Sequence, residues 1–233
     1  MDAPIACSPP TGDEISAARE PLSVVIPTLD VRINVNAGAG WYGYVKRMAD
    51  IVVGAALLVV LLPLMAAVAL LVAMDSPGPI IFRQERIGRN GRPFTLVKFR
   101  TMPLDCEIAS GPVFARCDDP RPSRLGRLLR RHSLDELPQL LNVVRGDMSL
   151  VGPRPERPFF VAQFALEIPR YTDRHRVRPG MTGWAQVNGL RGDTSVSLRT
   201  QYDLDYVARS SPWLDLRILL RTVAVIIHDD HAY

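Results

Sequence analysis

Two adjacent carboxylates near the middle of the chain have the residue types that phosphoryl chemistry needs. Asp135 and Glu136 lie in the run RRHSLDELPQ at 130–139. Two neighbouring carboxylates can bind a divalent cation through their oxygens while one of them attacks phosphorus as a nucleophile. A second interpretation needs no chemistry, because Ser133 and Glu136 fit the S-x-x-E capping box, which would begin a helix at Leu134. Asp135 would then only complement the helix dipole. The residues alone leave both interpretations open.

Arginines near this pair favour a phosphorylated substrate. Four of them precede it, at Arg124, Arg127, Arg130 and Arg131. They bring more positive charge than helix capping requires, and a helix N-terminus beside guanidinium groups is a natural phosphate site. Arg154 lies between two prolines, so its backbone has little freedom and its guanidinium can be aimed at low entropic cost. The alternative for Arg154 is a turn that the prolines stiffen for structural reasons alone.

A third cluster, RHRVRPGMTGWAQVNG at 174–189, combines glycines with basic and aromatic side chains. Arg176, Arg178 and Trp184 can frame a nucleotide together with these glycines, although loops rich in glycine and arginine are common. The motifs of P-loop, zinc-protease and nucleophile-elbow sites are absent from the sequence. The run HDDH at 228–231 resembles a set of metal ligands, but its place at the end of the chain favours a solvated tail.

The segments around these clusters predict a mainly helical α/β domain. Residues 79–100 contain two apolar runs on either side of Asn90-Gly91, which predicts a β-hairpin. Helices are predicted over 123–131, 133–144, 156–168 and 212–227. The helix over 212–227 is amphipathic, and both a core position and a membrane-surface position fit it.

Residues 51–74, IVVGAALLVVLLPLMAAVALLVAM, contain no charged or hydrogen-bonding side chain. A straight helix of this length spans about 36 Å, more than the hydrocarbon core of a bilayer. Pro63 at its centre removes a backbone hydrogen bond and predicts a kink. Basic residues flank the run on both sides, and both ends therefore favour the cytoplasmic side. A helix that enters one leaflet and returns satisfies both ends, so the charges favour it over a straight span, which also stays open.

The overall composition excludes several other classes of protein. The chain has 233 residues and a formal charge of +4, which argues against a disordered acidic chain and against a collagen-like one. Its three cysteines, Cys7, Cys106 and Cys117, lack CxxC spacing, so reduced thiols are expected rather than a disulfide framework or a zinc site. Residues 1–40 are predicted to be a mobile N-terminal extension.

Three motifs in order resemble the bacterial sugar transferase family, the monotopic polyprenyl-phosphate phosphoglycosyl transferases. They are KFRTM at 98–102, LDELPQLLNVVRGDMSLVGPRPE at 134–156 and RVRPGMTGWAQVNG at 176–189. The resemblance extends from about Tyr42 to about Ile227. GPRPE followed by Arg-Pro is more similar to the hexose-1-phosphate transferases of exopolysaccharide assembly than to the enzymes for modified amino-sugars.

This resemblance implies a reaction and a set of site residues. Such enzymes transfer a sugar-1-phosphate from a UDP-sugar to undecaprenyl phosphate, release UMP and begin a surface glycan. The family's catalytic pair falls on Asp135 and Glu136. The aspartate is the nucleophile that forms a covalent phospho-sugar intermediate, and Mg²⁺ binds at the pair. The family's phosphate-binding positions fall on Lys98, Arg130 and Arg154.

The resemblance also implies a membrane-embedded architecture. Residues 41–76 are expected to form a re-entrant helix broken at Pro63, 77–227 a compact catalytic domain with a small β-hairpin and amphipathic surface helices, and 228–233 a C-terminal tail. The catalytic domain is expected on the cytosolic face of the bacterial inner membrane. Many members have Ser-Pro at the break, whereas this chain has Leu62-Pro63, and leucine cannot bond a carbonyl freed by the kink.

The expected partners are a UDP-sugar, undecaprenyl phosphate and membrane lipid, and not nucleic acid. Two other functions stay open on the residues alone. One is a membrane-tethered, metal-dependent phosphatase or phosphodiesterase that uses the same acidic pair. The other is a non-catalytic, membrane-tethered binding module whose arginines contact an anionic surface.

Overall fold

The computed structural model describes residues 41–103, 106, 119–192 and 194–228. For residues 226–228 it describes the backbone alone. The predicted N-terminal extension over 1–40 and almost all of the predicted tail lie outside these residues. The elements, in chain order, are α1 (Trp41–Asp75), β1 (Ile81–Ile87), a 3₁₀ turn (Arg89–Gly91), β2 (Pro93–Phe99), α2 (Arg124–Arg131), a 3₁₀ helix (Leu134–Gln139), α3 (Leu140–Arg145), β3 (Ser149–Val151), α4 (Pro158–Glu167), a 3₁₀ helix (Tyr171–Arg176), β4 (Gly180–Thr182), α5 (Trp184–Val187), α6 (Val196–Arg209) and α7 (Pro212–His228).

Helix α1 contains the whole apolar run and packs one face against the rest of the domain. The positions on this face recur every three or four residues, which is the helical period. They are Asp50, Gly54, Leu58, Leu61, Met65, Val68 and Val72. The opposite face exposes apolar side chains that include Val52, Val59, Leu62, Leu70 and Leu71. By length and composition α1 is the one helix among the described residues that could cross a membrane.

The chain stays helical through Pro63, which differs from the break expected at this residue. The proline removes one backbone hydrogen bond, but the turns on both sides are held by tertiary packing. Leu58 and Leu61 pack against one hydrophobic cluster of the domain, and Met65 packs against another. Both halves of α1 therefore contact the same domain.

The predicted β-hairpin is confirmed. Strands β1 and β2 pair antiparallel, with Ile81 opposite Phe99 and Ile87 opposite Pro93. Asn90 and Gly91 at the turn both have positive φ angles, of 57° and 74°, a conformation that asparagine and glycine adopt at low cost.

The helices predicted over 123–131, 156–168 and 212–227 are present as α2, α4 and α7. Ser123 caps α2, since its side chain accepts a hydrogen bond of 2.9 Å from the Gly126 N–H. Helix α7 packs Ile218 into the core and exposes an apolar stripe on its other side, formed by Trp213, Leu216, Leu220 and Val223.

The helix predicted over 133–144 is wrong in its first half. Residues 134–139 form a 3₁₀ helix, and α-helical structure begins only at Leu140. The capping box is also wrong, because Ser133 has a φ of 53° and its side chain makes no capping hydrogen bond. An N-cap residue needs an extended backbone. Pro138 contributes to the difference, since it has no N–H with which to continue an α-helical ladder from Leu134.

The glycines of the third cluster bring two backbone segments together. Strands β3 and β4 pair in parallel, with Ser149 opposite Gly180. A Cβ atom on Gly180 would collide with the backbone nitrogen of Gly152, and one on Gly183 would collide with the Gly152 carbonyl. These glycines therefore serve close packing beside the site.

Candidate active site

Five residues predicted as catalytic or phosphate-binding line one cavity of about 220 Å³. They are Lys98, Arg130, Asp135, Glu136 and Arg154. Strand β2, the C-terminal end of α2, the Leu134–Gln139 3₁₀ helix and the loop after β3 each contribute to this set. The structure thus brings together residues that are up to 56 positions apart in the sequence.

The two adjacent carboxylates have different environments. Both Glu136 oxygens accept hydrogen bonds from Arg154, with Nη1 at 3.2 Å from Oε2 and Nη2 bonded to Oε1. Asp135 is only 5% exposed and has no hydrogen-bond or ion-pair partner in the described part of the chain. Glu136 is therefore held in place, while the Asp135 carboxylate is available to a ligand in the cavity.

Burial and the neighbouring charges shift the pKa values of this group. Burial, together with the Glu136 charge, raises the pKa of Asp135 to about 6 against the opposing effect of Lys98 and Arg130. Burial alone would raise the pKa of Glu136, but the paired Arg154 and Lys98 hold it below its usual range. Burial lowers the pKa of Lys98 to about 8 although Asp135 favours its charged form. Between pH 6 and 8, Asp135 is thus mainly ionised and Lys98 mainly protonated.

The helix dipole does not set the pKa of Asp135. The sequence places its carboxylate in the first turn of a helix, which would favour the charged form. The structure does place it in the first turn, but of a six-residue 3₁₀ helix inside the protein. Desolvation outweighs the favourable charges there, and the pKa of Asp135 rises instead of falling.

Local structure aims Lys98 and Arg130 at the carboxylates. Lys98 lies on β2 opposite Phe82, and its Nζ is 5.4 Å from the centre of the Phe82 ring. Arg130 Nε donates to Thr101 Oγ1 at 2.9 Å. Helix α2 can approach Thr101 closely because Gly126 has no Cβ, which would collide with the Thr101 carbonyl.

A buried ion pair contacts the backbone of Arg154. Arg174 and Asp203 are in contact at 2.7 Å, and their side chains are 5% and 4% exposed. Arg174 Nη2 also donates to the Arg154 carbonyl at 2.8 Å. This bond fixes the backbone of Arg154, whose guanidinium holds Glu136.

Sequence reasoning missed several residues that line the cavity. They include Phe82, Gln84, Arg86, Glu156, Arg174, Gln186, Arg191, Arg199 and Asp203. The strand pattern could have identified the first three, because side chains two positions apart on β1 point to the same face. Arg174 and Asp203 gave no such signal, since they lie 29 positions apart on separate elements.

The residues predicted to bind a nucleotide are not among those lining this cavity. Arg176 pairs with Asp173 at 2.9 Å, and Arg178 Nε donates to the Gly146 carbonyl at 3.0 Å. Trp184 Nε1 donates to Asp205 at 3.1 Å. Their assignment to nucleotide binding stays a prediction.

The acidic pair offers a small donor set for a metal. No group of three or more potential metal ligands occurs among the residues that the structure describes. Glu136 already bonds Arg154 through both oxygens, which leaves Asp135 as the open carboxylate. Mg²⁺ commonly binds through one or two carboxylates together with substrate phosphates and water, so this set fits a Mg²⁺ ion that shares its coordination with a phosphorylated substrate.

The structure thus brings one buried carboxylate without a described partner, Asp135, into a cavity with several cationic side chains. In the comparison with known proteins, residues 41–229 match the model of the family "Bacterial sugar transferase". The chain belongs to this family.

Three relatives illustrate the similarity. A UDP-glucose:undecaprenyl-phosphate glucose-1-phosphate transferase of Caulobacter vibrioides is 48% identical over 194 residues, which cover 81% of this chain and 72% of the relative. A protein of the same name from Escherichia coli K12 is 41% identical, over 85% of this chain and 42% of the relative. A UDP-N-acetylgalactosamine-undecaprenyl-phosphate N-acetylgalactosaminephosphotransferase of Aeromonas hydrophila is 43% identical, over 80% of this chain and 44% of the relative. The chain thus spans less than half the length of several relatives.

Proposed function

We propose that the protein transfers a sugar-1-phosphate from a UDP-sugar to undecaprenyl phosphate and releases UMP. The observation that carries this proposal is the unpartnered, buried Asp135 carboxylate beside Lys98, Arg130 and the Glu136–Arg154 pair in one cavity. The names of the relatives supply the substrates to test. Because two of the three relatives described above name glucose-1-phosphate transfer, UDP-glucose is the first donor to try.

In the first step an Asp135 oxygen attacks the sugar-bearing phosphorus of the UDP-sugar. The bond from this phosphorus to the oxygen that bridges the two phosphates breaks, and UMP leaves with that oxygen and the bonding electron pair. The product on the enzyme is an aspartyl phospho-sugar. The pKa of about 6 leaves Asp135 mainly ionised at neutral pH and makes it more basic than an exposed aspartate, so that it is a better nucleophile.

In the second step an oxygen of undecaprenyl phosphate attacks the same phosphorus. The bond to Asp135 breaks, the carboxylate is restored, and undecaprenyl diphospho-sugar forms. Neither step requires a net proton transfer. Asp135 has no hydrogen-bond or ion-pair partner among the described residues, so its oxygens are open to attack phosphorus.

The cations of the cavity stabilise charge on the transferred phosphoryl group. Lys98 and Arg130 flank Asp135, and both reduce the cost of its charge. Preorganised cations of this kind stabilise the transition state most where water is excluded. Arg154 is fixed by Glu136 and, through its backbone, by Arg174, so its guanidinium needs little reorganisation on binding.

Mg²⁺ would be held by Asp135 and by oxygens of the donor's phosphates, with Glu136 as a further ligand if it shares an oxygen with Arg154. When bound, the ion would neutralise phosphate charge and orient the leaving group.

The protein would act at the inner face of the bacterial cytoplasmic membrane, in the first membrane step of an exopolysaccharide or another surface glycan. One relative from Rhizobium leguminosarum is named an exopolysaccharide production protein. Helix α1 would insert its exposed apolar face as a re-entrant element. The packing of both halves of α1 against the same domain supports this form over a straight span, because a helix that crossed the bilayer would carry one half away from that domain.

The transfer reaction is tested with purified full-length protein, UDP-glucose and Mg²⁺, with and without undecaprenyl phosphate. We expect lipid-dependent release of UMP and its loss in Asp135→Asn, by roughly 10³-fold or more. Phosphate release that needs no acceptor lipid would support a phosphatase instead. Full activity of Asp135→Asn would rule out the covalent mechanism.

Topology is tested with a membrane-impermeant thiol reagent in intact cells. Cys7 precedes the apolar run, and Cys106 and Cys117 follow it. In the re-entrant form all three stay in the cytosol and unlabelled. Labelling of Cys7 in a variant without the other two cysteines would instead indicate a spanning helix.

A further inference from the structure

A second cavity of about 50 Å³ lies at the N-terminal end of α1 and shares no lining residue with the first. It is partly open, and the first turns of α1, the hairpin turn, β3, the segment before β4 and the C-terminal end of α6 line it. A buried water needs about 10–15 Å³, so this volume holds a few waters or one phosphate group and is too small for a nucleotide.

The charges of this cavity are unbalanced. Four cationic side chains line it: Lys46, Arg89, Arg176 and Arg178. Asp50 is the one carboxylate among the residues that line it. Asp50 Oδ1 already accepts hydrogen bonds from Ser149 Oγ at 3.1 Å and from the Leu150 N–H at 3.0 Å.

Two guanidinium groups in the cavity have hydrogen-bonding capacity that the described residues do not use. Arg89 makes no side-chain hydrogen bond or ion pair with the residues that the structure describes, and its Nε is buried without a partner. Arg176 pairs with Asp173 through Nη2, but its Nε is likewise buried and unpartnered. A buried donor left unsatisfied is costly, so both groups can bind an acceptor that the described residues do not supply.

The other cations add charge without closing the cavity. Lys46 bonds Asp215 at 2.7 Å, and among the described residues Arg178 bonds only the neutral Gly146 carbonyl. Burial, followed by the positive charges of Arg89 and Arg47, holds the pKa of Arg178 below its usual range. An anion in the cavity would relieve this repulsion.

The position of the cavity indicates which anion it receives. Tyr42, Gly43 and Lys46 belong to the first turns of α1. On the same turns the apolar side chains of Trp41, Tyr44, Val45 and Met48 are exposed. A ligand with a phosphate group and an apolar chain would satisfy both features.

We propose that this second cavity binds the phosphate group of a membrane lipid, with Arg89, Arg176 and Arg178 as its donors. The proposal rests on the membrane association of α1 in the proposed function and is independent of the chemistry at Asp135. It also gives Arg176 and Arg178 a phosphate-binding role at a place other than the nucleotide site expected from the sequence.

The test is a titration of the full chain in maltoside micelles with dihexanoyl phosphatidic acid, followed by phosphorus NMR. Saturating UDP occupies the first cavity, and UDP binding is measured separately. We expect Arg89→Gln to weaken binding of the lipid roughly tenfold or more, since it removes a charged donor. Arg92→Gln is the matched control, because Arg92 lies on the same hairpin turn but is exposed and does not line the cavity.

A partial recovery of affinity in Arg89→Lys would support the electrostatic role and would also show that position 89 tolerates substitution. Equal affinities of Arg89→Gln and Arg92→Gln would overturn the site. Inorganic phosphate that binds as tightly as phosphatidic acid would overturn the lipid as its ligand. The binding measurement does not depend on catalysis. A protein that binds the lipid in the second cavity but fails to release UMP would therefore contradict the proposed transfer reaction and leave the lipid site standing.

Discussion

Several charged side chains of the first cavity are paired with one another, whereas one face of helix α1 exposes apolar side chains. Around the cavity, Glu136 is held by Arg154 and Arg174 by Asp203. Along α1, one face is buried and the other exposes a continuous apolar surface. The fixed charges of the cavity are therefore preorganised by the protein, whereas no described residue covers the exposed apolar face of α1.

The largest effect on stability should come from the ion pair behind the cavity. Arg174→Met leaves Asp203 buried without its partner, so we expect a loss of about 3–5 kcal/mol in the free energy of unfolding. Urea denaturation of the detergent-solubilised protein measures it. The exposed pair of Arg209 and Asp205 on α6 is the control, and Arg209→Gln should cost less than about 1 kcal/mol. Similar losses in both variants would contradict the importance of burial.

Shortening a side chain on the buried face of α1 should lower stability, whereas shortening one on the exposed face should weaken binding to lipid. Val72 is 2% exposed and Leu71 is 48% exposed. We expect Val72→Ala to destabilise the protein by about 1.5–3 kcal/mol, because it removes buried methyl groups and leaves a cavity. Leu71→Ala should change stability in detergent by less than about 0.5 kcal/mol but should weaken partitioning into lipid vesicles. The reverse order of destabilisation would contradict the packing of α1.

The titrating groups of the cavity should give transfer a bell-shaped pH dependence. Below pH 6 the Asp135 nucleophile becomes protonated, and above pH 8 Lys98 loses its charge. The rate should therefore fall about tenfold per pH unit outside this range, as measured by kcat/KM for UMP release. In Lys98→Arg the alkaline limb should move to higher pH. An unchanged limb would exclude Lys98 as its origin.

The smallest effect is expected at the start of α2, away from the carboxylates. Ser123→Ala removes the side-chain acceptor for the Gly126 N–H, so we expect a loss of about 1 kcal/mol in the free energy of unfolding. Ser123→Asp should restore most of it, because aspartate caps equally well. Denaturation curves that coincide for Ser123→Ala and the unmodified chain would show that the cap contributes nothing.

Local signals were sufficient where neighbours in the sequence determine the structure. Asn90-Gly91 predicts the hairpin because both residues tolerate positive φ angles, and Ser123 predicts the start of α2. The same reasoning failed at Ser133. There the chain turns through a left-handed residue between two helices, and Glu136 turns to Arg154 instead of back to the helix. A partner 18 positions away therefore outweighed a local capping motif.

The sequence by itself determined the apolar segment, the hairpin, most helices and five of the residues that line the first cavity, because these follow from local patterns and from motifs of the family. Only the tertiary structure decided what each charge does. Burial raises the pKa of Asp135, Arg154 holds Glu136, and Arg176 and Arg178 line a second cavity. Burial and long-range pairing depend on which distant segments pack together, and neither is encoded in the spacing of neighbouring residues.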